Sequence, residues 1–316
     1  MEIHRVSKWN EPAARGFDEV ILAYLKETES KKSHSRDLTS VKRLYEHFRG
    51  VSIQSIGAPE ITAYKSARTQ DGVAVATIGK ELWLLSAAIR YMNAAYDWNL
   101  PNPVSGRVPQ PKKMEMRWFT REEAAALMLA SREGRAGDHI ADFVRLGLST
   151  GMRTGEMLKL QWRRVDIARA MVRFDSDDQK KGVPGSIPLN QSAVAVLVSR
   201  LAYRNRHHPG SPWVFPSPKV EGKPILSVKI GFRYVVRRAG IPYASPHALR
   251  HTFASWLVQA SVPLREVCEL CRHEDIRTTM RYAHLAPHAT AARLTVIDDV
   301  LSHSGYSYEK ISEAAP

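Results

Sequence analysis

Four prolines in eleven residues, Pro101, Pro103, Pro109 and Pro111, interrupt a chain whose flanking regions are patterned as helices. Each proline removes a backbone donor and favours extended geometry, so neither a continuous helix nor a central strand can run through this stretch. The surrounding residues, from Leu100 to Lys113, are poor in large apolar side chains and read as an interdomain linker. At 316 residues the chain also exceeds the size at which a single core usually keeps growing. The expected division is a short N-terminal tail over 1–14, a helical region over 15–100, a linker over 101–116, a second domain over 117–295, and a C-terminal helix or tail over 296–316.

Upstream of the prolines the periodicity is helical. Leu38, Val41, Leu44, Tyr45 and Phe48 recur at spacings of three, three, one and three, which predicts one apolar helix face. Pro59 suits the first turn of a helix that continues through Ile61 and Tyr64. Ala76 to Trp98 carries Leu82, Leu84, Leu85, Ala88, Ile89, Met92 and Ala95, a wide apolar face on a long helix. Together these predict a small helical bundle. Downstream, Thr120 followed three residues later by Glu123 forms a capping-box signature ahead of an alanine and leucine run. A helix is expected from Asp138 to Leu148. Met171–Phe174 and Ser186–Leu189 read as two short antiparallel strands with a polar loop between them. Beyond Ser227 the pattern turns helical again. The fold class is therefore mainly α, with a small antiparallel sheet in the second domain.

Charge narrows the partner. Forty-six lysines and arginines against 32 acidic residues leave a formal net charge of +14, which favours a polyanion, nucleic acid ahead of a membrane surface. No apolar run is long enough to span a bilayer, and Met1 to Asn10 lacks a signal-peptide core, so a soluble cytoplasmic protein is expected. Two cysteines cannot form a disulfide framework. Cys268, Cys271 and His273 look like half of a zinc site, but no second Cys/His pair stands at matching spacing, and no metal or other cofactor is expected.

The chemistry-bearing residues concentrate in three places. Arg153 follows an apolar helix and opens another, where a guanidinium can grip two phosphate oxygens beside a helix N-terminus. Glu156, three residues on, is placed to hold that arginine, although the pair alone also reads as an exposed surface ion pair. Lys180 and Lys181 lie in the loop between the predicted strands, where a lysine of lowered pKa could protonate a leaving alkoxide and where a solvated turn is equally ordinary. His247 and Arg250 share a helix face by their i,i+3 spacing, one able to exchange a proton near neutrality and the other to clamp a phosphate. His273 could donate a hydrogen bond to that phosphate. Tyr282, inside Arg281-Tyr282-Ala283-His284, is a candidate nucleophile if cations and a base help remove its proton, and otherwise a packing residue.

These segments, in this order, resemble the tyrosine recombinases of the phage integrase family. Thr150-Gly151-Met152-Arg153-Thr154-Gly155-Glu156-Met157-Leu158-Lys159-Leu160-Gln161-Trp162 resembles the first arginine box. Pro246 to Ser255 resembles the second, H-x-x-R-H-T-F-A-S, and Leu270 to Leu285 the third, in which a histidine precedes R-Y-A-H-L. The family lysine stands before a strand ending V-P-L, and counting back from Pro188-Leu189 places it on Lys180. Ala76 to Leu82 and Asn102-Pro103 are similar to the core-binding domain and its exit, so the resemblance runs over about residues 15–295, and the order of the boxes makes it specific. Two departures stand out. Cys271-Arg272-His273 occupies the place of the usual L-G-H, so an arginine replaces glycine, and Val183-Pro184-Gly185 lacks the usual basic residue of the lysine loop.

The resemblance implies a site-specific recombinase that exchanges strands of double-stranded DNA without nucleotide or metal cofactor. Tyr282 would attack the scissile phosphate to give a 3′-phosphotyrosyl link and a free 5′-hydroxyl. Arg153 and Arg250 would stabilise the phosphorane-like transition state, Lys180 would be general acid to the 5′ oxygen, His247 an acid/base and His273 a phosphate donor. It further implies a clamp around DNA, a homotetramer at synapsis, a C-terminal helix (Leu294, Ile297, Val300, Leu301) docked on a neighbouring protomer or in cis, and an accessory directionality factor. The stretch before Phe17 is too short for a separate arm-binding domain, which points to a recombinase without arm sites. A type IB topoisomerase and a non-cleaving DNA-binding accessory protein are the alternatives.

Overall fold

The structure, a computed structural model, describes residues 14–111, 116–133, 137–175, 185–287 and 297. The chain divides into two compact units, residues 1–114 and 115–316. The expected tail but for Ala14, and all of the expected C-terminal helix but Ile297, lie outside the described residues, as do Lys180 and Lys181.

In the first unit, helices α1 (Phe17–Glu27), α2 (His34–Phe48) and α3 (Ala58–Gln70) pack on the long α4 (Val75–Tyr96). Phe17, Ile21, Leu44, Phe48, Ile61, Leu82, Leu85, Ile89 and Met92 are buried together, which is the helical bundle expected from the periodicity. Two expected face residues are exposed: Ala95, in the last turn of α4, and Leu38, at 47% exposure. Leu38 sits six residues before Leu44, which at 3.6 residues per turn leaves it roughly 120° away around the helix and off the buried stripe. Pro59 does occupy the first turn of α3. Helix α4 ends at Asp97 in the left-handed conformation, φ 51°, and the Asn93 side chain then bonds both the N–H and the carbonyl of Leu100. The proline-rich stretch continues on this unit: Val104 is buried in the first core, Val108 packs on it, and Pro109 lies against Gly79. Beneath the helices, Tyr64, Arg68 and Glu81 form a buried polar group. The Arg68 guanidinium forks onto Glu81 at 3.0 and 3.2 Å, reaches Asp71 at 2.8 Å, and Tyr64 donates to Glu81 at 2.7 Å.

The second unit is built around α6 (Asp138–Thr150), against which α5 (Arg121–Arg132), α8 (Gln191–His207) and α10 (Ala248–Gln259) pack. Thr120 caps α5: its hydroxyl accepts from the Glu123 N–H at 3.2 Å while Glu123 accepts from the Thr120 N–H at 3.0 Å. Helix α7 (Thr154–Leu158) follows α6 and leads into strands β1 (Val165–Asp166), β2 (Met171–Phe174) and β3 (Gly185–Pro188), an antiparallel sheet in the order β1-β2-β3. Val172 faces Ile187 across the second pair. The short β1 has no alternating pattern of its own and was not expected. Helix α9 (Lys229–Arg238) packs on α5, and α11 (Leu264–Leu270) and α12 (Ile276–Met280) complete the unit.

Two glycines allow α6 to approach α10. A Cβ on Gly147 would meet Leu249 at 2.8 Å, and one on Gly151 would meet the Phe253 ring at 2.4 Å. Gly151 also closes α6 with φ 60°, a conformation that side chains disfavour. Thr252 locks the start of the unit onto α10, accepting from the Phe119 N–H at 2.8 Å and donating to the Ala248 carbonyl at 2.7 Å. Among the described residues no helix is long and apolar enough to cross a membrane.

A candidate active site around Tyr282

The turn that ends α6 delivers the first cation. Gly151 reverses the chain, Met152 is buried, and Arg153 emerges at the N-cap of α7 with its side chain 40% exposed. Glu156 grips Arg153 twice, by Nη1 at 2.9 Å and by the backbone N–H at 2.8 Å. The other terminal nitrogen of Arg153, Nη2, donates to the Arg272 carbonyl at 3.1 Å. Arg153 is thus fixed at both ends of its fork while one side of the guanidinium faces outward.

Arg250 supplies the second cation from the first turn of α10. It is 3% exposed and, among the described residues, hydrogen-bonds no carboxylate: Nη1 donates to the Gly151 carbonyl at 2.8 Å and Nη2 to the Cys271 carbonyl, with Glu156 acting on it only at a distance. Burial, and then the neighbouring Arg153, pull its pKa down to about 10, which still leaves it charged at neutrality. A buried guanidinium held only by carbonyl dipoles beside a second arginine is short of negative charge.

Three histidines surround these arginines and are held neutral. His247, at the N-cap of α10, keeps an exposed edge, yet the protein packed around its ring and the charges of Arg250, Arg153 and Arg281 lower its pKa. Burial first, and then nearby positive groups, bring His251 down to about 4 and His273 to about 3. His273 shares a 2.8 Å hydrogen bond with Thr279, which orients its ring.

Tyr282 follows α12 and is buried, at 2% exposure. Its ring lies nearly parallel to that of His273, 7° between planes, and its hydroxyl shares a 2.7 Å hydrogen bond with His251 Nδ1. Burial pushes the phenol up to about 12, so it is protonated at rest. A neutral imidazole with its proton on Nε2 accepts from such a phenol.

The structure therefore brings together Arg153, Glu156, His247, Arg250, His273 and Tyr282, which stand up to 129 residues apart in the sequence. Lys180 belongs to the connection between β2 and β3, outside the described residues. The sequence reading missed His251. Its signal was present, because it stands one helical turn after His247 and shares that face of α10. Two guanidiniums, neutral imidazole donors and a phenol suit a phosphate diester that is bound, polarised and attacked by oxygen. Cys268 and Cys271 are buried beside the site, Cys271 with its thiol pushed up to about 11 by burial.

Residues 117–288 match the model of the phage integrase family. The integrase of Salmonella phage P22 is 29% identical over 96% of this chain and 85% of its own length. A tyrosine recombinase XerD from Rhizobium meliloti is 27% identical over 80% of this chain and 84% of its own. Among solved structures, a lambda integrase dimer bound to a COC′ core site has a TM-score of 0.70 at 17% identity, covering 90% of this chain and 81% of that one. A lambda integrase tetramer bound to a Holliday junction has a TM-score of 0.69 at 18% identity, covering 88% of this chain and 80% of that one.

Proposed function

Because the chain belongs to the phage integrase family, and so is a tyrosine-type site-specific recombinase that binds DNA and cuts and rejoins it, we propose that the cluster around Tyr282 is where strand exchange takes place. The Tyr282 oxygen attacks the scissile phosphorus, the P–O bond to the 5′ oxygen breaks, and a 3′-phosphotyrosyl link remains. Arg153 and Arg250 stabilise the added negative charge of the transition state, and His273 donates to a non-bridging oxygen. The leaving 5′ oxygen takes its proton from Lys180, His247 serves as acid/base at the phosphate, and His251 holds the phenolic proton that must leave before attack. Glu156 keeps Arg153 in place. Attack of a partner duplex's 5′-hydroxyl on the phosphotyrosyl link reverses the chemistry and frees the enzyme.

The observation that carries this reading is the 2.7 Å contact between the Tyr282 hydroxyl and a neutral imidazole, beside an arginine that bonds carbonyls and, among the described residues, no carboxylate. An anion entering there meets positive charge and a nucleophile with a proton acceptor already attached. In the same reading, residues 15–100 form a core-type DNA-binding domain, 101–116 the linker, 117–295 the catalytic domain, and 296–316 a segment docking on a neighbouring protomer. The working assembly is a homotetramer on synapsed DNA in the bacterial cytoplasm, with a directionality factor as a further partner. The fold likeness to the lambda integrase tetramer supports that assembly.

The test is recovery of protein-linked DNA from cells expressing the wild type or Tyr282→Phe, with sequencing of the trapped ends. Discrete adducts confined to the wild type are expected and give the crossover sequence. Equal adducts from the variant would remove Tyr282 as nucleophile.

A further inference from the structure

Arg272 stands where the resemblance calls for glycine, and its backbone keeps the conformation glycine favours, φ 51°. A side chain is disfavoured in that conformation, so its presence calls for a compensating role. Two contacts of Arg272 converge on the first arginine box, and a third reaches the sheet. Its Nη2 donates to Glu156 Oε2, the oxygen that also accepts the Arg153 N–H at 2.8 Å. Its carbonyl accepts from Arg153 Nη2 at 3.1 Å. Its guanidinium lies 3.5 Å above the Phe174 ring, at the end of β2, and the side chain is 9% exposed.

Glu156 is therefore one negative charge shared by two guanidiniums. Were Arg272 absent, Arg153 and Glu156 would form a neutral pair, and the guanidinium facing a phosphate would be largely compensated. With Arg272 present the trio carries a net positive charge, and Glu156 is pinned by a second guanidinium at Oε2. The same residue joins the His273 turn to α7 by its side chain and to Arg153 by its backbone.

We infer that Arg272 is a positioning residue for DNA cleavage, one that acts through Glu156 to orient Arg153 and leave its charge available to the scissile phosphate. It makes no contact with the phosphate itself. This rests on the Tyr282-centred reading above.

The experiment measures single-turnover adduct formation on a duplex carrying the crossover sequence, nicked so that the cleaved strand departs. Wild type, Tyr282→Phe, Arg272→Gly, Arg272→Lys, Glu156→Gln and the Arg272→Gly/Glu156→Gln double variant are compared. Glycine accepts the local φ, so Arg272→Gly is expected to fold, which thermal melting checks. Arg272→Gly should slow cleavage at least about tenfold, within the range that misplacement of a catalytic group produces. DNA affinity should stay within about threefold, and Arg272→Lys should recover part of the rate. The loss should shrink to under about threefold in the Glu156→Gln background, as expected for groups acting through one another. It should shrink likewise on a methylphosphonate at the scissile position, where the charge that Arg153 neutralises is gone. Wild-type rates in Arg272→Gly, an equal loss in the Glu156→Gln background, or an equal loss on the neutral substrate would each overturn the inference. Absence of adducts from the wild type on its own crossover sequence would instead overturn the reading of Tyr282, and this inference with it.

Discussion

Arg68 in the first unit and Arg250 in the second are both nearly sealed from solvent, at 6% and 3% exposure, and are solvated in opposite ways. Arg68 meets Glu81 through two nitrogens and Asp71 through a third, and its pKa is raised, chiefly by the bond to Glu81. Arg250 meets two carbonyl oxygens, lies beside Arg153, and is pulled down to about 10 by burial. The first charge is balanced inside the fold and serves the fold. The second is left in deficit, which costs stability in the free protein and which the scissile phosphate, in the function proposed, would repair. A buried cation thus marks structure or function according to what faces it, and burial alone does not tell them apart.

The largest effect should come from breaking the balanced case. Arg68→Met leaves Glu81 buried without its cation and should cost about 3–5 kcal/mol of stability, read by urea unfolding of the whole chain. A loss under about 1 kcal/mol would mean that water replaces the guanidinium and that the network is not the brace described here. Arg250→Met removes the deficit instead. It should lower single-turnover adduct formation by about 10²–10³-fold, the usual consequence of losing one preorganised charge donor, while costing less stability than Arg68→Met. If its stability loss matched that of Arg68→Met, the distinction between the two arginines would collapse.

Periodicity and local chemistry carried most of the fold. Helix α4, the Thr120–Glu123 cap and the β2–β3 pair follow from spacing within a few residues, because helix faces, caps and two-residue alternation are local properties. What escaped was tertiary. Leu38 fits an apolar pattern and misses the core by its angle around the helix. Tyr64 and Arg68 stand one turn apart on α3, but their partner Glu81 comes from α4, and only the packing of the two helices joins them. In the site, the ordered boxes identify which residues gather, whereas the partner of the Tyr282 hydroxyl depends on how the turn after α12 folds back onto α10, 31 residues away. The same holds for Arg272: the sequence shows a departure from glycine, and only the fold reveals that Glu156 and Phe174 receive its side chain.

The histidines offer a sharper version of the comparison through pH. In the second unit His247, His251 and His273 all have lowered pKa values, His251 to about 4 and His273 to about 3, first because the protein packed around each ring desolvates it. Between the ordinary histidine pKa of about 6.5 and those folded values, the unfolded chain binds more protons than the folded one. Stability should therefore be complete above about pH 6.5 and fall steadily as the pH drops toward 4. Hydrogen exchange followed separately in α4 and α10 should show the decline in α10. Equal decline in both helices would mean that general acid destabilisation, and not these three rings, controls the response.

Inorganic sulfate, a dianion throughout this pH range, tests the charge deficit itself, with the smallest expected effect. An anion that binds the folded cluster and not the unfolded chain stabilises by RT ln(1 + [L]/Kd), about 1.4 kcal/mol at ten times Kd. The gain should appear in the protection of α10, be absent from α4, and be lost in Arg250→Met. It should also grow as the pH falls from 7 to 5.5. A bound anion favours protonated imidazoles, so binding takes up protons at His247, His251 and His273, and by reciprocity acid strengthens binding. Arg68 predicts no such coupling, since its carboxylates already occupy the place an anion would take. A sulfate effect that is independent of pH and survives Arg250→Met would place the anion elsewhere on a chain whose net charge is +14, and would leave Arg250 as a second structural arginine.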